Sequence, residues 1–207
     1  RRRAAAAHML NVAVLCSKRA PGLEALLERR EFNVVCVMTT DNEFAECGVP
    51  VITHPIKGVN RRDYDSDTAS MLSALGIDAV LCLGYLYILT EPMLSAFPDR
   101  IFNVHDADVS QRRYPGLHAT RDAIVAGERV TRSSVHVVTA ELDAGPVVAV
   151  SRDYPVSPLV RDALRWNATD IVRAYAYAHR EWMMRDCWGE LAARALAYAA
   201  APEEAFA

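Results

Sequence analysis

The sequence predicts an α/β fold: a doubly wound, mostly parallel sheet of Rossmann-like type, with helices on both faces and further helices at the carboxyl terminus. Two observations carry this expectation. Short continuous apolar runs rich in β-branched residues, LNVAVLC, NVVCVMTT and IDAVLCL, read as strands buried on both faces, the habit of parallel sheets. Segments with helical apolar spacing alternate with them, which argues for right-handed βαβ units. A chain of 207 residues, 52% hydrophobic and 24% charged, has material for one such core.

In chain order, RRRAAAAHM (1–9) reads as a non-native leader ahead of a start at Met9. LNVAVLC (10–16) is the first strand, SKRAPG (17–22) a turn, and LEALLERRE (23–31) an amphipathic helix with apolar spacing of 3 and 4. NVVCVMTT (33–40) is the second strand. FAECGVPVITH (44–54) reads as a short helix ending at Gly48 and then a third strand. DYDSDTASMLSALG (63–76) is a helix with Asp or Ser caps at its start and Gly76 as its stop. The following strand runs to Leu83, and Gly84 marks a place where the backbone approaches something closely. Pro92 opens a short helix, EPMLSAF, and RIFNVH (100–105) is the next strand. HATRDAIVAGE (118–128) is a helix closed by Gly127. SSVHVVT (133–139) and PVVAVSRDYPV (146–156) form an antiparallel pair at the sheet's edge around a DAGP turn. Residues 159–200 are helical, packed on the same core, so 10–200 is read as a single domain and 201–207 as a frayed tail.

A formal net charge of −3, with short basic runs mixed among acids, gives no support for nucleic-acid or membrane binding. The five cysteines are scattered without a C-x-x-C pair, and Cys16, Cys36 and Cys82 sit in apolar strand-like runs as small hydrophobes. A reducing, cytoplasmic setting is expected, with no transmembrane run and no signal peptide.

The chain is organised around IFNVHDADVSQRRYPG (101–116) and its echo AELDAGPV (140–147). Asn103 and His105 stand two apart on one extended run, so their side chains face the same way. In open parallel sheets ligands collect beyond the carboxyl ends of strands, where this pair falls. Asp143 sits on the loop after the SSVHVVT strand. An amide to donate to a developing oxyanion, an imidazole for acid/base work and a carboxylate to set the imidazole's charge make a coherent toolkit for acyl-type transfer. His54, His118 and His136 read as structural histidines, and no cluster has metal-ligand spacing, so no metal is expected. Trp166, Trp182 and Trp188 read as packing or homodimer contacts.

Three segments in this order, N-V-H at Asn103, Val104 and His105, Y-P-G-L-H from Tyr114 to His118, and E-L-D-A-G-P from Glu141 to Pro146, resemble the glycinamide ribonucleotide formyltransferase family. These enzymes move a formyl group from 10-formyltetrahydrofolate to an amine. The resemblance runs from the first strand to about Tyr154 and is loose in the terminal helices. It implies that Asn103, His105 and Asp143 are catalytic. It implies that folate lies against Leu83, Gly84, Tyr85, Leu86, Tyr87, Ile88 and Leu89, beside Val104, and along Thr139, Ala140 and Glu141. The acceptor is expected at Ser17, Lys18, Arg19 and Gly22, at Tyr114, Pro115 and Gly116, and at Arg62 and Asp170.

Three departures stand out. Tyr87 replaces a family Arg, and Asp106 replaces the Pro that follows the family His. The family's glycine-rich S-G-N-G-S-N phosphate loop is replaced by Ser17, Lys18, Arg19, Ala20, Pro21 and Gly22. Ala20 and Pro21 remove glycine freedom and one N–H donor from that nest. Lys18 and Arg19 remain as cations for a phosphate or a carboxylate. The resemblance therefore implies a kept donor and a changed acceptor: glycinamide ribonucleotide, as in purine biosynthesis, or a small amine of secondary metabolism such as an amino sugar, a nucleoside or a hydroxyornithine-type compound. The alternatives are a 10-formyltetrahydrofolate hydrolase releasing formate and a folate-binding protein of low activity.

Overall fold

The computed structural model describes residues 9–41, 44 and 47–201. The strands are β1 (Leu10–Cys16), β2 (Phe32–Thr39), β3 (Val51–Thr53), β4 (Ala79–Leu83), β5 (Ile101–His105), β6 (Val130–Thr131), β7 (Ser134–Val137), β8 (Val147–Val150) and β9 (Tyr154–Pro155). The helices are α1 (Leu23–Leu27), α2 (Arg61–Ala74), α3 (Glu91–Ala96), α4 (Ala119–Val125), α5 (Pro158–Arg165) and α6 (Thr169–Ala200). A 3₁₀ turn at Val109–Gln111 follows β5.

The main sheet has seven strands in the order β3-β2-β1-β4-β5-β7-β8. β1 to β5 pair in parallel, and β7 and β8 complete the edge in antiparallel pairs. The chain moves outward from β1 through β2 to β3, then returns to β4 on the other side of β1. The carboxyl ends of β1 and β4 therefore flank a topological switch point, the position where open α/β sheets hold ligands.

Alternation along each strand divides the core. Val12, Val14, Leu81, Leu83, Phe102, Val104, Val135 and Val137 face α1 and α6, meeting Met183, Trp188, Leu191 and Leu196. Ala13, Leu15, Val80, Cys82 and Ile101 face α2 and α3, meeting Leu72, Met93 and Phe97. Each large apolar side chain buried this way contributes about 1.5–3 kcal/mol. Asn103 and His105 share the face of Ile101, two and four residues earlier on β5.

Several local expectations are corrected. α1 stops at Leu27 rather than continuing to 31, because the parallel register pairs Phe32 with Leu10 and the chain must turn before it. α2 starts at Arg61, and its cap is Asn60, whose side chain accepts from the Arg62 and Asp63 N–H groups at 2.9 and 3.3 Å. The 146–156 run is not one strand: β8 ends at Val150, and β9 pairs with β6 in a separate two-stranded sheet. The helix expected before Gly48 rests partly on Ala45 and Glu46, which lie outside the described residues. No helix among the described residues is long and apolar enough to cross a membrane.

Candidate active site

β5 ends at the switch-point edge of the sheet, and its last residues present Asn103 and His105 to a cavity of about 280 Å³. The β7–β8 turn brings Asp143 back to them. Asp143 Oδ2 lies 3.8 Å from His105 Nε2 and accepts a hydrogen bond from the Gly116 N–H at 2.9 Å, so the Tyr-Pro-Gly turn fixes the carboxylate. Asp143 holds φ at +50°, a left-handed conformation that Asp tolerates better than most side chains.

Burial alone pushes the Asp143 carboxyl upward. The neighbouring His136 ring, the charge of His105 and the Gly116 N–H together outweigh burial and hold it at about 2. His105 is buried, and its Nε2 has no hydrogen-bond partner among the described residues. A buried ring nitrogen left unmatched costs on the order of 1–3 kcal/mol, and because His105 lines the cavity a ligand there could match it.

His136, which the sequence marked as structural, belongs to this site. The antiparallel register places it directly across from Asn103, and β4 places Cys82 on Asn103's other side, so the three side chains form a row. His136 Nδ1 lies 3.0 Å from the Val137 carbonyl. Its Nε2 then accepts from Asn103 Nδ2 at 3.3 Å in the neutral ring and faces Asp143 Oδ1 at 3.6 Å in the charged ring. One Asn103 N–H is thus held, and the other is left for the cavity. Burial pushes the Cys82 thiol up to about 12, so it supplies no thiolate there.

Gly84, Tyr85, Leu86, Tyr87, Ile88, Leu89, Val104, Gly116, Thr139 and Glu141 line the same cavity as the Asn, His and Asp. The 84–89 loop is clamped from beneath. Arg61 donates to the Ile88 carbonyl at 2.9 Å and to Tyr85 Oη at 3.0 Å, and Asp65 accepts from the Thr90 N–H and hydroxyl at 2.6 and 2.7 Å. Gly84 has φ +71°, and a Cβ there would stand 2.8 Å from the Arg19 carbonyl oxygen, so only glycine lets this loop cross the first one.

The remaining expected positions fall elsewhere. Leu83 points into the core on the opposite face, and Ala140 is exposed outside the cavity lining. Ser17 is buried, with its hydroxyl accepting from the Leu86 N–H at 3.0 Å, so it shapes the neighbouring loop. Lys18 is exposed away from the lining. Arg19 is gripped at both terminal nitrogens by the Glu181 carboxylate of α6, and those hydrogen bonds hold Glu181 below the ordinary carboxylate range. Gly22 abuts α6: a Cβ there would come within 2.5 Å of the Gly189 nitrogen. Arg62 pairs with Glu91 at 2.7 Å, and Asp170 and Pro115 are exposed outside the lining. Tyr114 donates to Glu128 at 2.9 Å and borders a smaller cavity of about 80 Å³.

Arg180, which the sequence reading did not name, and Asp106, noted there only as a departure after His105, complete the wall. Arg180 of α6 reaches the cavity, and its Nε donates to Asp106 Oδ2 at 2.5 Å. Asp106 is buried and also accepts from the Thr120 hydroxyl at 3.0 Å. Among the described residues no group of three or more His, Cys, Asp and Glu could hold a metal ion.

The structure is thus an α/β protein with a switch-point cavity carrying an amide, two imidazoles and a carboxylate, and the comparisons give its family. The sequence profile described as formyl transferase matches residues 7–160, and the chain belongs to that family. Phosphoribosylglycinamide formyltransferase of Escherichia coli K12 is 28% identical over 151 residues, covering 67% of this chain and 70% of that one. The crystal structure of glycinamide ribonucleotide transformylase 1 from Symbiobacterium toebii is 28% identical, with a TM-score of 0.67 and 88% of each chain covered. A formyltetrahydrofolate deformylase from Pseudomonas syringae pv. tomato shares the fold, with a TM-score of 0.72 at 21% identity over 92% of this chain and 61% of that one. The match spans only 12% of the length of the trifunctional purine biosynthetic protein adenosine-3 of Drosophila melanogaster, 28% identical over 162 residues.

Proposed function

We propose that this protein transfers a formyl group from 10-formyltetrahydrofolate to the amine of a small-molecule acceptor, and that the acceptor differs from glycinamide ribonucleotide. The observation that carries the reading is the unpartnered His105 Nε2, buried beside Asp143 and sharing one cavity with a free Asn103 N–H. These are donors waiting for an oxygen.

In this reading the neutral amine attacks the formyl carbon. A carbon–nitrogen bond forms, and the carbonyl oxygen becomes an oxyanion. Asn103 Nδ2 and His105 Nε2 donate to that oxygen, each well-placed donor supplying roughly 3–4 kcal/mol. Asp143, 3.8 Å from His105 Nε2, receives the amine's proton, directly or through one water. That proton passes to N10 of the carrier as the old carbon–nitrogen bond breaks, releasing tetrahydrofolate and the formylated amine. The 84–89 loop and the 139–143 turn form the walls against which the pterin packs.

The acceptor side supports a change of substrate. The first loop carries Ala20 and Pro21 where the resemblance implies a glycine nest, Arg19 is neutralised by Glu181, and Gly22 is packed on α6. The same closure motivates a second reading, a hydrolase in which water replaces the amine and formate leaves. Incubation with 10-formyltetrahydrofolate separates the two: tetrahydrofolate released only with an added amine supports transfer, release without amine supports hydrolysis, and no release in either case overturns both.

A further inference from the structure

We infer that Arg180 is the anchor for an anionic group on the acceptor, and that the amine this site takes carries a carboxylate: an amino-acid-like molecule rather than a nucleotide. The inference rests on the formyl-transfer reading. Arg180 is the single Lys or Arg among the described residues lining the cavity that holds Asn103, His105 and Asp143. Its guanidinium is aimed by the buried Asp106, which takes only Nε. A guanidinium has five N–H groups, and the terminal nitrogens of Arg180 have no partner among the described residues. What remains free is a planar fork that matches a carboxylate.

The other cations nearby stand outside the cavity lining. Arg19 gives its fork to Glu181, Arg62 pairs with Glu91, and Arg61 binds Ile88, Tyr85 and Asp65. Charge then selects among anions. Asp106 already cancels Arg180, and Asp143 and Glu141 line the same cavity. A phosphate would bring extra negative charge against those carboxylates. A zwitterion brings none, since its carboxylate meets Arg180 while its ammonium is drawn toward Asp143 and releases one proton to solvent before the neutral amine attacks.

The same fork would also fit a carboxylate on the donor's tail, so the test separates the two sources. Formyl transfer from 10-formyltetrahydrofolate is measured with glycine against glycinamide and L-ornithine against L-ornithinamide, for the wild type, Arg180→Gln and Arg180→Lys. The wild type is expected to favour one of the acids over its amide, and Arg180→Gln to lower kcat/KM for that acid by about 10- to 100-fold. That loss should fall on the acceptor KM, leaving the amide and the donor KM within about 2-fold. Arg180→Lys keeps a charge against Asp106 without the fork, and should show the same selective loss even if Arg180→Gln fails to fold. Equal use of acid and amide by the wild type, equal losses for both in the variants, or a raised donor KM would each overturn the inference. Tetrahydrofolate released with some other amine but none of these four overturns it while sparing formyl transfer. No release with any amine removes the formyl-transfer reading and this inference together.

Discussion

The two sides of the switch point differ in how completely their polar groups are satisfied. At the end of β5, His105 Nε2 is buried without a partner, one Asn103 N–H is free, and Asp143 sits in a left-handed conformation held by the Gly116 N–H. At the end of β1, Ser17 is tied to Leu86, Arg19 to Glu181 and Gly22 to the backbone of α6. Unmatched buried polar groups are expensive, and one that lines a cavity can be completed by a ligand. The β5 end is therefore built to receive something, while the β1 end serves as structure for its neighbours.

The largest effect expected from breaking this contrast lies with the unmatched donors. Asn103→Ala and His105→Gln should each lower kcat by about 10²–10³, with little change in donor KM, because their hydrogen bonds strengthen only as the oxyanion forms. The double variant should lose much less than the product of the two, since both act on one oxygen. Steady-state kinetics check this; unchanged kcat in either single variant would remove that residue from the reaction.

Asp143 gives the next effect, and it is thermodynamic. Its folded pKa of about 2 lies below its ordinary 3.8, so its contribution to stability is fully present above pH 4 and is lost as pH falls through about 2. The contribution is about 2 kcal/mol. Asp143→Asn, which tolerates the same φ, should be less stable near neutral pH and should show a shallower loss of stability between pH 4 and pH 2. Parallel acid-unfolding curves for the two proteins would contradict the assignment.

How much of this was legible in the sequence follows from which contacts are local. Asn103 and His105 share a face because strands repeat every two residues, and that needs no partner strand to read. The strand–helix alternation likewise announced the doubly wound sheet. His136 could not be read so, because its place beside Asn103 depends on the antiparallel register of β7 on β5. Arg180 carries no local signal either, because its place at the cavity depends on α6 packing across β4, β5, β7 and β8. The closure of the first loop depends on Glu181, 162 positions further along the chain, and nothing near Arg19 betrays it.

His136 sharpens the comparison at a smaller scale. As the acceptor that orients the Asn103 amide it is a positioning residue. His136→Asn should lower kcat about 10-fold and change its pH profile, while His136→Ala should cost more. A shift in donor or acceptor KM with kcat preserved would instead mark it as a binding group.

The smallest effect belongs to the closed side. Lys18→Ala and Arg19→Ala should leave the acceptor KM within about 2-fold, because Lys18 faces solvent and Arg19's fork is already occupied. Arg19 is about half exposed, its side chain retaining 49% of its accessible surface, so loss of the ion pair should cost no more than about 1 kcal/mol of stability. The sharper variant is Glu181→Gln, which frees the Arg19 guanidinium without removing it. If the first loop were an anion site held shut only by that carboxylate, Glu181→Gln would tighten the binding of inorganic phosphate measured by calorimetry. No detectable binding before or after the change is the expected result, since the missing glycine nest, and not the ion pair alone, withholds the backbone N–H groups that a phosphate needs.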